Sequence, residues 1–160
     1  METTIEIKPW EHLTCDELYD LLQLRIAVFV VEQNCPYQEA DQKDKKSTHV
    51  LMRDSSGQLV GCTRLVRPGV SYPEWSIGRV AVALSHRSKH LGQRLMQASL
   101  EHLKATTNSA PIRISAQFYL LQFYQKCGFQ QVSDIYLEDN IPHVEMLLTT
   151  YPDMKDSQGK

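Results

Sequence analysis

The chain predicts one α/β domain organised around a mixed sheet, and three observations carry that expectation. Its 160 residues suffice for a single packed core and are short for two. Residues 48–52 and 58–66 are apolar runs flanking Ser55-Ser56-Gly57, which is the pattern of a hairpin. Further on, strand-like runs at 75–83 and 112–116 are each followed by a helical pattern, the alternation of a sheet covered by helices. There is no internal repeat, low-complexity tract or linker.

Taken in order, residues 3–8 alternate weakly as a short strand that Pro9 stops. Thr14-Cys15-Asp16-Glu17 is a capping box: the Thr14 hydroxyl accepts from the Glu17 amide while the Glu17 carboxylate reaches back. The helix it opens gathers Leu18, Leu21, Leu22, Val28 and Phe29 on one face. Residues 26–31 are β-branched and aromatic, weaker helix formers, and predict a kink or a second helix before Pro36. Residues 37–47 read as a charged loop, and Pro68-Gly69 as a turn. The helix over 91–103 buries Leu91, Leu95, Ala98 and Leu103. Another runs from about Tyr119 to Cys127, with Gly128 as its C′ residue. Residues 132–137 and 143–149 close the domain as strands about the Asp139-Asn140 turn. The domain is therefore expected over 1–151, with a polar tail over 152–160.

Composition narrows the function. With 42% hydrophobic and 22% charged residues the chain is ordinary globular material. A formal net charge of −2 supplies no global basic field for nucleic acid or an anionic membrane, so any anion site is local. Nothing approaches the roughly 20 apolar residues of a membrane span. Cys15, Cys35, Cys62 and Cys127 are irregularly spaced with no C-x-x-C pair, and no secretory signal opens the chain. This favours reduced thiols, a cytoplasmic location and no metal site.

One junction points to a ligand. The strand Ile77-Gly78-Arg79-Val80-Ala81-Val82 leads into Arg87-Ser88-Lys89-His90-Leu91-Gly92-Gln93-Arg94-Leu95-Met96, a basic turn opening a helix. The first turn of a helix has N–H groups without intrahelical partners, and the macrodipole adds about half a positive charge. Phosphate is the usual occupant of such a place. From the residues alone a phosphate site and an ordinary junction with solvated basic side chains stand level.

Here the chain resembles the GNAT superfamily of N-acetyltransferases. The strand and the 87–92 loop are similar to that family's acetyl-CoA pyrophosphate loop, and Phe123-Tyr124-Gln125-Lys126-Cys127-Gly128-Phe129 is similar to its later tyrosine element. Residues 24–37, from Leu24-Arg25-Ile26 to Cys35-Pro36-Tyr37, together with Ile141-Pro142-His143, resemble the ElaA-like branch. His90 stands where the motif usually has its first glycine, and Gln117 where an asparagine often precedes the tyrosine helix. A histidine donates its amide there provided its φ stays negative.

The resemblance implies a mostly antiparallel sheet of about six to seven strands flanked by about four helices. It also implies acetyl-CoA as cosubstrate, a small-molecule or peptide amine as acceptor and direct attack in a ternary complex; a homodimer is common for the fold. Arg87, Ser88, Lys89, His90, Leu91, Gly92, Gln93 and Arg94 are the expected diphosphate contacts, and Val80, Ala81 and Val82 the edge for the pantetheine arm, with Gln117 nearby. A strand bulge is expected to expose a thioester-polarising N–H, assigned to Val82. Tyr124 is the expected general acid toward the departing thiolate, against a packing role. Glu32 is the candidate base, its carboxylate buried with a raised pKa, against substrate binding or a structural bond.

Arg25 reads as an ion-pair partner, and Asp41, Asp44 and His49 as parts of a solvated loop rather than a metal cluster. His143 is expected either to line the acceptor cleft or to be structural, and acidic loops favour a cationic acceptor. Two alternatives stay open: a CoA-binding sensor without catalysis, and a longer acyl donor, for which Phe29 and Trp75 would have to leave a tunnel.

Overall fold

The computed structural model describes residues 2–153, so the expected tail from residue 154 onward lies outside the described residues. Among the described residues, eight strands and three α-helices follow in the order β1 (Thr3–Pro9), α1 (Cys15–Ile26), β2 (Ser47–Asp54), β3 (Leu59–Val66), β4 (Ser76–Val82), α2 (Leu91–Thr107), β5 (Ile112–Gln117), α3 (Leu121–Lys126), β6 (Gln130–Gln131), β7 (Tyr136–Glu138) and β8 (Ile141–Leu148). The capping box forms as the sequence requires: Glu17 N–H donates to Thr14 Oγ1 at 3.1 Å, and Thr14 N–H to Glu17 Oε1 at 2.9 Å. The β-branched run after α1 does not start a new helix but widens into a π-helical turn, Ala27–Glu32. Such turns insert a residue into a helix and re-aim the side chains beyond it.

The strands form two antiparallel sheets, β1-β2-β3-β4 and β5-β8, with β6 and β7 on the other edge of β8. The strand expected over 132–137 forms only at its end, in β7, while β6 lies just before it; at Ser133 between them the side-chain hydroxyl accepts the Glu145 N–H at 2.8 Å in place of a backbone carbonyl. The expected helix over 119–127 likewise starts as a 3₁₀ turn, Phe118–Leu120, before becoming α3. The sheets meet at one parallel bridge, Trp75 to Ile112, where Arg113 N–H donates to Trp75 O at 2.9 Å. The Arg113–Glu74 ion pair at 3.0 Å clamps the same end. Beyond that point no other pairing joins β4 to β5 among the described residues, so the two strands diverge.

Helices cover both faces. Leu91, Leu95, Met96, Leu100 and Leu103 of α2 pack into the larger core with Val50, Val60, Ile114 and Val144. Leu21, Leu24 and Val28 pack on the opposite face against Leu51, Leu59, Cys62 and Ala81. Gly61 permits the close approach of α2, because a Cβ there would lie 2.8 Å from Leu95 Cδ1. Gly128, at φ +105°, ends α3 in the left-handed conformation that glycine adopts without strain.

Candidate active site

The site begins with the register of β4. Cys62 opposes Ala81 and Arg64 opposes Gly78, so Arg79 and Val80 together face the single residue Thr63. That is a β-bulge, and Arg79 takes the left-handed conformation at φ +52° within it. The sequence assigned the freed N–H to Val82, yet Val82 stays in register with Gly61. The extra residue of a bulge is the one left unpaired, which moves the exposed main chain to Arg79–Val80. The Ala81 side chain is buried in the α1-side core.

Past β4 lies a groove of about 250 Å³ lined by Val82, Arg87, Ser88, His90, Leu91, Gly92, Gln93 and Phe123. His90 precedes α2 with no side-chain capping bond, which leaves the first-turn amides of α2 without a side-chain acceptor. Contrary to the expected negative φ, His90 sits at +58° and Ser88 at +67°. The loop thus keeps a glycine-like path without glycine, at a cost of about 1–2 kcal/mol per such residue. Arg87 is tied to β4, its Nε donating to Val82 O at 3.1 Å. Lys89 is exposed beside it, whereas Arg94 turns away from the groove to bond Thr3 Oγ1.

Glu32 departs from expectation. It is exposed rather than buried, and its carboxylate accepts from both Arg87 Nη atoms at 2.5 and 2.8 Å. Both oxygens of the Glu32 carboxylate are therefore occupied by Arg87. The π-helical turn points this residue at the loop while sending its neighbours Phe29 and Gln33 into the cleft.

The cleft itself, about 630 Å³, opens where β4 and β5 diverge. Val80 lines it from the bulge, Ser115 and Gln117 from β5, Tyr124 from α3 and His143 from β8. Gln117 and Gln33 exchange side-chain bonds across it at 3.3 and 3.4 Å. Val80 and Tyr124 face this cleft, whereas Val82 and Phe123 face the groove, so β4 and α3 run from one cavity to the other. The Tyr124 ring is held edge-on by Phe123 and Phe129, with centroids at 5.1 and 6.2 Å. Burial, with a smaller contribution from Cys127, pushes its phenol well above the ordinary range and keeps it protonated. Burial also pushes Cys127 up to about 11 and Cys62 up to about 12, so neither is a thiolate nucleophile near neutrality.

The remaining wall overturns the solvated-loop expectation. Arg25, 1% exposed, donates to Glu39 Oε1 at 2.5 Å and to Asp44 Oδ1 at 2.8 Å. Arg64 reaches Asp41 at 2.8 Å and Asp44 at 3.2 Å, and Arg79 reaches Glu39 at 2.9 Å. Burial alone would raise the Asp41 carboxyl, but the Arg64 guanidinium overrides it and holds the pKa at about 2. His49 meets the Asp44 carbonyl at 2.9 Å, and its burial lowers its pKa. The loop is thus an electrically balanced wall, and Arg25 is the ion-pair partner that its sequence context implied. Sequence patterning missed the burial because three arginines and three carboxylates from distant segments look solvated until they are brought together.

A split pair of strands, a bulge at the split and an uncapped helix N-terminus beyond it are the architecture of an acyl-CoA N-acyltransferase. A family model described as an acetyltransferase (GNAT) domain matches residues 17–150, and the chain belongs to that family. Within it the chain is ElaA-like: it is 41% identical to protein ElaA of Escherichia coli over 136 residues, covering 84% of this chain and 88% of that one. A UPF0039 protein of Schizosaccharomyces pombe is 42% identical over 146 residues, covering 88% and 93%. Among solved structures, an acyl-CoA N-acyltransferase from Pseudomonas aeruginosa superposes with a TM-score of 0.87 at 39% identity, over 92% of this chain and 99% of that one. Escherichia coli ElaA gives 0.86 at 37% identity with the same coverage.

The family's cosubstrate is an acyl-CoA, and the residues present fit one: uncapped amides and Arg87 suit a diphosphate, and the divergent β4 edge suits an extended amide-bearing arm. No helix among the described residues is long and apolar enough to cross a membrane.

Proposed function

We propose that the protein transfers an acetyl group from acetyl-CoA to an amine acceptor by direct attack in a ternary complex. The observation that supports this reading is that Val80 at the bulge and Tyr124 on α3 line one cleft, while their near neighbours Val82 and Phe123 line the groove at α2. The amides of Leu91 and Gly92, with Arg87, bind the diphosphate. Glu32 orients Arg87 through its bidentate contact rather than acting as a base. The bulge main chain at Val80 donates to the thioester oxygen as negative charge grows there. Tyr124 protonates the departing thiolate and regains its proton from the attacking nitrogen.

The raised thiol pKa values of Cys62 and Cys127 support direct transfer over an acyl-enzyme on either of them. Trp75 packs on the core at the closed end of the split, which supports a short acyl group over a long one. Calorimetry with CoA and free-thiol release from acetyl-CoA with primary amines test the reading. Tyr124→Phe is expected to lower kcat by about 10²-fold with CoA affinity within about twofold of wild type. Absence of CoA binding, or loss of donor affinity in that variant, would overturn it.

A further inference from the structure

With Glu32 bound to Arg87, the acceptor's ammonium has no assigned group to take its first proton, and one group in the cleft has the geometry for it. Gln117 of β5, His143 of β8 and Tyr136 of β7 lie in one row of cross-strand partners. Cross-strand partners project to the same face, and Gln117 shows that this face is the cleft. The His143 ring is stacked on Tyr136, with centroids 6.1 Å apart at 24°. Its Nδ1 lies 2.7 Å from the Ile141 carbonyl oxygen. A carbonyl only accepts, so Nδ1 carries the hydrogen, and in the neutral ring the lone pair is on Nε2. Nε2 in turn lies 3.3 Å from Glu138 Oε2. Two acceptors therefore face each other: a proton bridges them, and a cationic N–H donor seated beside them reaches both.

We infer that His143 Nε2 takes the proton from the acceptor's primary ammonium and that the Glu138 carboxylate seats that ammonium beside it. This inference rests on the transferase reading above. The ammonium gives one proton to Nε2, and the free amine attacks the thioester carbon. The N–C bond forms as the C–S bond breaks; Tyr124 protonates the sulfur and is reprotonated by the second proton that the nitrogen sheds. The proton on His143 then leaves by way of Glu138, half of whose side chain is exposed to solvent. The other ionisable groups around the imidazole are Asp139 in the turn, Glu145 on the same face of β8, and Tyr136 and Tyr72 about the Ser115 hydroxyl. The carboxylates among them favour a cation at this end of the cleft.

The test uses the full chain, acetyl-CoA, and spermidine, free lysine and a peptide with a free α-amine as probes. His143→Asn keeps a donor for the Ile141 carbonyl and removes Nε2. It is expected to lower kcat by about 10²-fold and abolish the rising limb of the pH profile, with CoA affinity within about twofold. Glu138→Gln, a change at an exposed hairpin position, is expected to raise the amine KM about fivefold. If wild type turns over a probe and His143→Asn matches it at every pH, or Glu138→Gln leaves the amine KM in place, the assignment is overturned while the transferase reading stands. If wild type binds CoA but releases no thiol with any probe, the transferase reading falls and takes this one with it.

Discussion

The two cavities are built on opposite plans. The groove at α2 is lined by residues within 82–93 plus Phe123, and its chemistry is mostly main-chain N–H. The larger cleft draws on the π-helical turn, the 35–43 loop, β4, β5, α3 and the β7–β8 hairpin, and its chemistry is side-chain charge. A continuous segment with a backbone task tolerates side-chain change, as His90 shows by standing in a left-handed position. An assembled wall of buried charge does not, because each ion depends on partners supplied from elsewhere.

The contrast is sharpest at Arg25. Arg25→Met removes the most buried cation from the Glu39 and Asp44 carboxylates and leaves them only Arg79 and Arg64, and chemical denaturation should show a loss of about 3–5 kcal/mol. A loss under about 1 kcal/mol, the size of a surface pair, would mean that the wall is solvated after all.

The same wall titrates in acid. Asp41 and Asp44 have folded-state pKa values below their ordinary 3.8, so their contribution is present above that value and vanishes as pH falls through the folded pKa. Unfolding midpoints should therefore drop between pH 3.8 and about 2. Midpoints flat across that window would contradict the pairing.

The smallest effect belongs to the groove. His90→Gly removes left-handed strain of about 1–2 kcal/mol but restores unfolded-state freedom worth about 0.5–1 kcal/mol, leaving a net gain near 0.5–1 kcal/mol. CoA affinity should stay within about twofold, since the amide is retained. A tenfold weakening would assign the imidazole itself to the ligand and erase the distinction between the two plans.

The sequence by itself determined the capping box at Thr14, the hairpin over Ser55-Ser56-Gly57, the basic junction before α2 and Tyr124 on its short helix, because each rests on contacts within a few residues. Only the tertiary structure decided that the bulge falls at Arg79–Val80, that Glu32 turns to Arg87, that Glu39, Asp41 and Asp44 of the 37–46 loop turn inward to three arginines and that Gln117 meets Gln33 across the cleft. Those outcomes depend on strand register and on where a π-helical turn aims its side chains. A shift of one residue reverses the facing of a strand, and the energies that choose between these outcomes come from partners 14 to 84 positions away, which no local pattern contains.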